Sequence, residues 1–141
     1  MLKNVHPLLT GELLSLLDRM GHGDLLGLVD RNFPAYRYRA PVIDFRGVDT
    51  GGAAEALLSV FPLDGFVDEA VQRMEIDGAP DEVNAATTAL QEAADAAEGR
   101  SVAIGSVERF AFYDLATSAY AFVQTGETVP YACYLLRKGV V

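Results

Sequence analysis

Apolar residues recur along the chain in short blocks whose spacing changes from block to block. Leu13, Leu16, Leu17 and Met20 fall at the intervals of one helical face, and Thr10 stands ready to cap that helix. Gly21 is expected to stop it in a left-handed conformation. Leu25-Leu26-Gly27-Leu28-Val29, a continuous apolar run ending in Asp30, predicts a buried strand of the parallel kind. Val42 to Phe45 predicts a second strand, and Ala53 to Phe61 a helix with Ala56, Leu57 and Val60 on one side. Val71 to Ile76 alternates loosely, as a strand. Pro80 is expected to open a long Ala-rich helix that runs to Glu98 and closes at Gly99. Val102 to Ile104 predicts a strand. Glu108 to Ser118 predicts a helix with Phe110, Leu115, Ala111 and Ala119 turned inward. Tyr120 to Thr125 and Tyr134 to Leu136 predict the last two strands, with a turn at Gly126-Glu127.

Strands alternating with helices predict an α/β domain of three layers around a mostly parallel or mixed central sheet. No repeat, charge block or low-complexity linker divides the chain, so residues 1–141 read as a single domain.

Half of the residues are hydrophobic, enough for a sizeable core, and the formal net charge is -9. The 11 Lys and Arg are scattered, so nucleic acid and anionic membrane are not expected as partners, while a neutral small molecule is allowed. Cys133 is the one cysteine, which leaves no internal disulfide and no CxxC pair, and no metal site is expected. No apolar stretch is long enough to span a bilayer and the start of the chain lacks a leader pattern. A soluble protein of the reducing cytoplasm is the expectation.

Two histidines narrow the search for a side chain that exchanges protons near neutral pH. His6, beside Pro7, reads as a surface residue. His22 lies in Gly21-His22-Gly23-Asp24, between the first helix and the first strand, where glycines leave room for a ligand. A helix ending at Gly21 would set its carbonyl end beside the imidazole and favour the protonated form. Asp30 stands at the carboxyl end of a strand, where ligands of open α/β sheets gather, although it also suits a turn before Asn32 and Pro34. Arg109 opens a helix, an unfavourable place for a cation and so a hint of another duty, against the plainer role of pairing with Glu108 or Asp114. Tyr131 follows Pro130 between two strands and offers a hydroxyl or simply covers the sheet edge. A nucleophilic pair of Cys133 with His22 has no local support. The Gly51-Gly52 step lacks basic neighbours, and no GxGxxG, P-loop, HExxH or GxSxG pattern occurs.

Met1-Leu2-Lys3 with Pro7-Leu8, Met20-Gly21-His22-Gly23-Asp24, Asp30-Arg31-Asn32-Phe33-Pro34-Ala35, Arg109-Phe110-Ala111-Phe112-Tyr113, Thr125-Gly126-Glu127 with Tyr131, and Leu135-Leu136-Arg137-Lys138-Gly139-Val140 occur in that order from end to end. Together they resemble the RbsD/FucU family of sugar mutarotases, and its fucose branch more than its ribose pyranase branch. The resemblance implies an RbsD-like fold and cofactor-independent interconversion of the α and β anomers of a free aldose, L-fucose first. It implies His22 as the proton donor, with Asp30, Arg109 and the Tyr131-Ala132-Cys133 stretch at sugar-contacting positions, and a homo-oligomer built as a pentameric ring or a decamer. Two departures bear on sugar preference. The family pattern after Tyr is a small residue then Asn, where this chain has Ala132-Cys133, and Arg31 and Asn32 differ from the commoner residues. A pyranase-like or other monosaccharide mutarotase, and a non-catalytic sugar-binding ring, are the alternatives.

Overall fold

The computed structural model describes residues 1–141. In chain order the elements are α1 (Gly11–Arg19), β1 (Leu25–Val29), a 3-10 turn (Ala35–Arg37), β2 (Val42–Phe45), α2 (Thr50–Leu58), β3 (Val71–Met74), α3 (Ala85–Glu98), β4 (Ile104–Val107), α4 (Arg109–Ala116), β5 (Ala119–Thr125) and β6 (Tyr134–Arg137). The six strands form one sheet in the order β2-β5-β1-β6-β3-β4. β1, β2 and β5 pair in parallel, as do β3 and β4, while β6 lies antiparallel to both β1 and β3. The expected mixed sheet is therefore parallel in five strands, with one reversed near its centre.

Two apolar cores confirm the three layers. One face of the sheet carries Leu26, Leu28, Val123 and Leu136 against α1, α2 and α3. The other carries Leu25, Val29, Phe122 and Leu135 against Phe112, Ala116 and the Phe33–Ala35 segment. Alternate residues of the apolar run Leu25–Val29 thus serve opposite faces, which is why that run lacks polar positions. No helix is long and apolar enough to cross a membrane.

Several elements depart from the sequence expectations. α1 begins as expected, with Thr10 accepting from the Leu13 N–H at 3.2 Å, but it ends at Arg19 and the chain leaves through an extended Met20. Gly21 is not the left-handed residue; Gly23 is, at φ 87°. α2 starts at Thr50 because the Asp49 carboxylate accepts from the Gly52 N–H at 2.9 Å, so both glycines lie inside the helix. α3 starts at Ala85 rather than Pro80, because Asn84 supplies the cap through the Thr87 N–H at 2.9 Å; Gly99 does close it, at φ 66°. β4 falls two residues later than Val102 to Ile104. In α4 the buried side chains are Phe112 and Ala116, while Phe110 and Leu115 are exposed and Ala119 belongs to β5.

Candidate active site

Because five strands are parallel, their carboxyl ends share one edge of the sheet, and the start of the reversed β6 joins them there. A cavity of about 340 Å³ opens at that edge. Asp30, Arg109, Tyr131 and Cys133 line it, with Asp77 and Tyr113, which the sequence pattern did not single out as site residues.

Asp30 both turns the chain and faces the cavity. Its Oδ1 accepts from the N–H groups of Asn32 (2.9 Å) and Phe33 (3.0 Å). Its Oδ2 receives the Cys133 thiol at 3.6 Å. Burial and the neighbouring Asp30 charge push the Cys133 thiol well above its usual range, so it stays protonated and donates. Ala132, expected at a sugar-contacting position, is instead fully buried in the core on the other face of the sheet and does not line the cavity, because alternate residues of this stretch turn to opposite faces. Gln124 Nε2 donates to Phe33 O at 2.7 Å, pinning the loop that follows Asp30. Phe33 in turn stacks with Tyr38 and Tyr113 at 5.8 Å between ring centres, giving the cavity an aromatic wall.

Arg109 is the first residue of α4, and its ion partner is Asp77 rather than Glu108 or Asp114. The Nε atom lies 2.8 Å from Asp77 Oδ2, a close ion pair whose N–H finds no in-line acceptor. Glu108 is occupied capping α4 through the Ala111 N–H at 3.0 Å. The guanidinium also sits 4.4 Å from the centre of the Phe110 ring. Asp77 first, then Tyr113, raises the Arg109 pKa further, so the cation is permanent. Tyr131 adopts φ 63°, a left-handed conformation that a tyrosine takes at a cost of roughly 1 to 2 kcal/mol. Strain of this kind concentrates at functional sites.

His22 lies elsewhere. It precedes β1, so the five-residue strand separates it from Asp30 by about 16 Å. It lines a second cavity, of about 480 Å³, at the opposite edge of the sheet, together with Met20, Phe61, Pro62, Lys138 and Val141. Cys133 and His22 therefore do not form a nucleophilic pair within one chain. Nor do the carbonyls of α1 reach the imidazole: the Lys138 ammonium takes Leu17 O at 2.7 Å and Met20 O at 2.5 Å. The neighbour of His22 is instead Asp64, whose Oδ1 lies 3.2 Å from Nε2. The Phe66 N–H, and after it the imidazole, hold the Asp64 carboxyl below its ordinary pKa against the opposing effect of burial. Asp64 and Phe66 had no signal in the sequence beyond an Asp-Gly step in a loop. No group of three His, Cys, Asp or Glu side chains is arranged to hold a metal ion.

The carboxyl-edge cavity lies where open α/β sheets gather small-molecule ligands. Residues 3–141 match the model of the RbsD / FucU transport protein family, and the chain belongs to that family. An L-fucose mutarotase of Glaesserella parasuis is 40% identical over 142 residues, covering 99% of this chain and 96% of that protein. The crystal structure of FucU from Bifidobacterium longum superposes with a TM-score of 0.92 at 38% identity, covering 99% of both chains. The fucose mutarotase of Streptococcus pneumoniae in complex with L-fucose superposes with a TM-score of 0.90 at 32% identity, again over 99% of both.

Proposed function

We propose that the chain is an L-fucose mutarotase, an isomerase that interconverts the α and β anomers of the free sugar. The full-length likeness to L-fucose mutarotases supports this, as does the likeness to one that binds L-fucose. The observation that carries the reading is the carboxyl-edge cavity, where a carboxylate (Asp30), a permanent cation (Arg109) and a phenol (Tyr131) border one space against an aromatic wall. That set offers acceptors and donors to the hydroxyls of a neutral polyol. Cys133 lines the same cavity.

His22 is the proton donor in this reading. A proton passes to the ring oxygen while another leaves the anomeric hydroxyl, the bond between the anomeric carbon and the ring oxygen breaks, and a carbonyl forms. After rotation the same steps in reverse close the ring as the other anomer. Only protons move, so the chemistry asks for no cofactor. A positioned acid–base group supplies roughly 10²–10⁴-fold.

Since His22 and Asp30 stand at opposite sheet edges, the reading requires assembly, with the partner subunit's His22 brought over the carboxyl-edge cavity. Exposed aromatic side chains at both edges, Phe66 beside His22 and Phe110 beside Arg109, support such a contact. Joining one edge to the opposite edge of the next chain is a head-to-tail contact, the kind from which rings are built when the rotation between copies closes. A pentameric ring, or a decamer of two, fits it. The cytoplasm is the compartment proposed, since Cys133 is a free thiol.

Magnetisation exchange between α- and β-L-fucose, followed with and without catalytic amounts of the protein, tests the reading. Acceleration by the native chain and its loss in His22→Ala are expected; an unaltered rate with the native chain overturns it. D-ribose and other aldoses in the same assay rank the sugars. A sugar-binding ring without catalysis is the second reading, favoured by the separation of His22 from Asp30 within one chain. It would shift or broaden sugar signals while leaving exchange unaccelerated.

A further inference from the structure

We infer that Asp64 is a positioning residue for His22, keeping the hydrogen on Nε2 and leaving Nδ1 as the nitrogen that exchanges a proton with the sugar. The inference rests on the assignment of His22 as proton donor. Asp64 is almost wholly buried, whereas the His22 side chain is 48% exposed, so the carboxylate grips the imidazole from beneath and the ring's far side meets solvent or ligand.

Three contacts keep that carboxylate in place. Its Oδ1 accepts from the Phe66 N–H at 3.0 Å, and its own N–H donates to Arg137 O at 3.0 Å. Leu63 forms a bridge to Lys138 just before it. The His22 loop is tied to the same strip of chain, since the Gly23 N–H donates to Lys138 O at 2.8 Å and the Lys138 N–H to Asp24 O at 2.9 Å. Carboxylate and imidazole thus share one rigid support. The Phe66 ring meets the imidazole edge-on at 5.6 Å and 61°, limiting its rotation.

The nitrogen follows from donor–acceptor logic. An ionised carboxylate only accepts, so the imidazole nitrogen 3.2 Å from it is the one that carries hydrogen. In the neutral ring the lone pair is then on Nδ1, and in the cation the Nδ1–H is the labile donor. A free imidazole would divide itself between tautomers and orientations, and proton transfer needs one of each. Contacts of this kind are often long without substrate and tighten when it binds.

The full-length protein labelled with ¹⁵N at histidine tests this. At about pH 8, long-range couplings from the ring carbon-bound hydrogens report which nitrogen of His22 carries hydrogen. The expected spectrum has hydrogen on Nε2 in the native chain and a changed tautomer balance in Asp64→Asn, whose amide can also donate. In the exchange assay Asp64→Asn should lower kcat roughly 10- to 100-fold with KM nearly unchanged. Hydrogen on Nδ1 in the native chain overturns the inference, and that measurement needs no variant to fold. A folded Asp64→Asn with native tautomer and native kcat overturns it as well. If His22→Ala keeps the native rate, the assignment of His22 fails instead, and the tautomer spectrum still decides whether Asp64 orients the ring.

Discussion

The Cys133 thiol and the Asp30 carboxylate meet at 3.6 Å inside the wall of the carboxyl-edge cavity, with the other carboxylate oxygen committed to the turn at Asn32 and Phe33. The thiol offers one weak donor where the family pattern has an amide. Asp30 is therefore held by this chain's own backbone and sulfur, and only Oδ2 has capacity left for a hydroxyl.

This pairing predicts an unreactive cysteine. Burial and the adjacent Asp30 charge keep Cys133 protonated, and the thiolate is the nucleophile. A thiol-specific disulfide reagent should label the native chain at least about 100-fold more slowly than the denatured chain. Labelling at equal rates would contradict the placement of Cys133.

If the catalytic site forms between chains, two inactive variants should repair each other. His22→Ala retains the Arg109 cavity and Arg109→Ala retains the histidine. On random mixing, about a quarter of the interchain sites would unite a native histidine with a native cavity. Exchange activity after mixing and reassembly measures this. Mixtures that remain inactive would show that each site is built from one chain.

Gly139 should tolerate no side chain. A Cβ there would stand 2.5 Å from Leu63 O and 2.8 Å from its carbonyl carbon, so Gly139→Ala must push the Pro62–Asp64 segment away. Overpacking of that kind costs about 2 kcal/mol. Because the displaced segment carries Asp64, L-fucose exchange should fall too. Urea denaturation and the exchange assay report the two effects separately.

Acid should weaken the fold through Glu127. Burial of this carboxyl raises its pKa, but N–H donation from Val129, Thr50 and Thr128 outweighs that, and the net shift is downward from 4.5. A lowered folded pKa means that the unfolded chain takes up the proton first. The stabilisation is therefore complete above pH 4.5 and fades as pH falls through the folded value. Glu127→Gln should cost about 1 to 2 kcal/mol at neutral pH by denaturant titration. The gap to the native chain should close on acidification; a gap that widens would reverse the sign argued here.

Legibility in the sequence followed physical cause. The run Leu25–Val29 is readable because burial on both faces forces an unbroken apolar stretch, and Val42–Phe45 and Tyr120–Thr125 are readable from their β-branched and aromatic residues. The cavity residues Asp30 and Arg109 were readable because strand ends and helix starts are marked positions. The phase of α4 was not, since Phe110 and Leu115 compete with Phe112 and Ala116 and only the packed sheet decides between the two faces. The start of α3 was misread because Pro80 is a generic opener, whereas Asn84 makes the actual bond to Thr87. Asp64 was invisible: its contact with His22 joins two loops that touch only because both are fastened to the end of β6. The distance between His22 and Asp30 was likewise beyond a linear reading, which gives proximity along the chain and says little about opposite rims of a sheet.

The reversal of β6 has a consequence for how the molecule tolerates change. This one strand begins beside the Asp30 cavity, with Tyr131 and Cys133, and ends beside the histidine loop, with Lys138 and Gly139. Its backbone acts as a strut of fixed length between the two rims. Slipping its register against β1 by a pair of residues would keep every side chain on its proper face, yet it would misplace the phenol at one rim and the ammonium at the other at once. An insertion within the strut would thus displace both rims together.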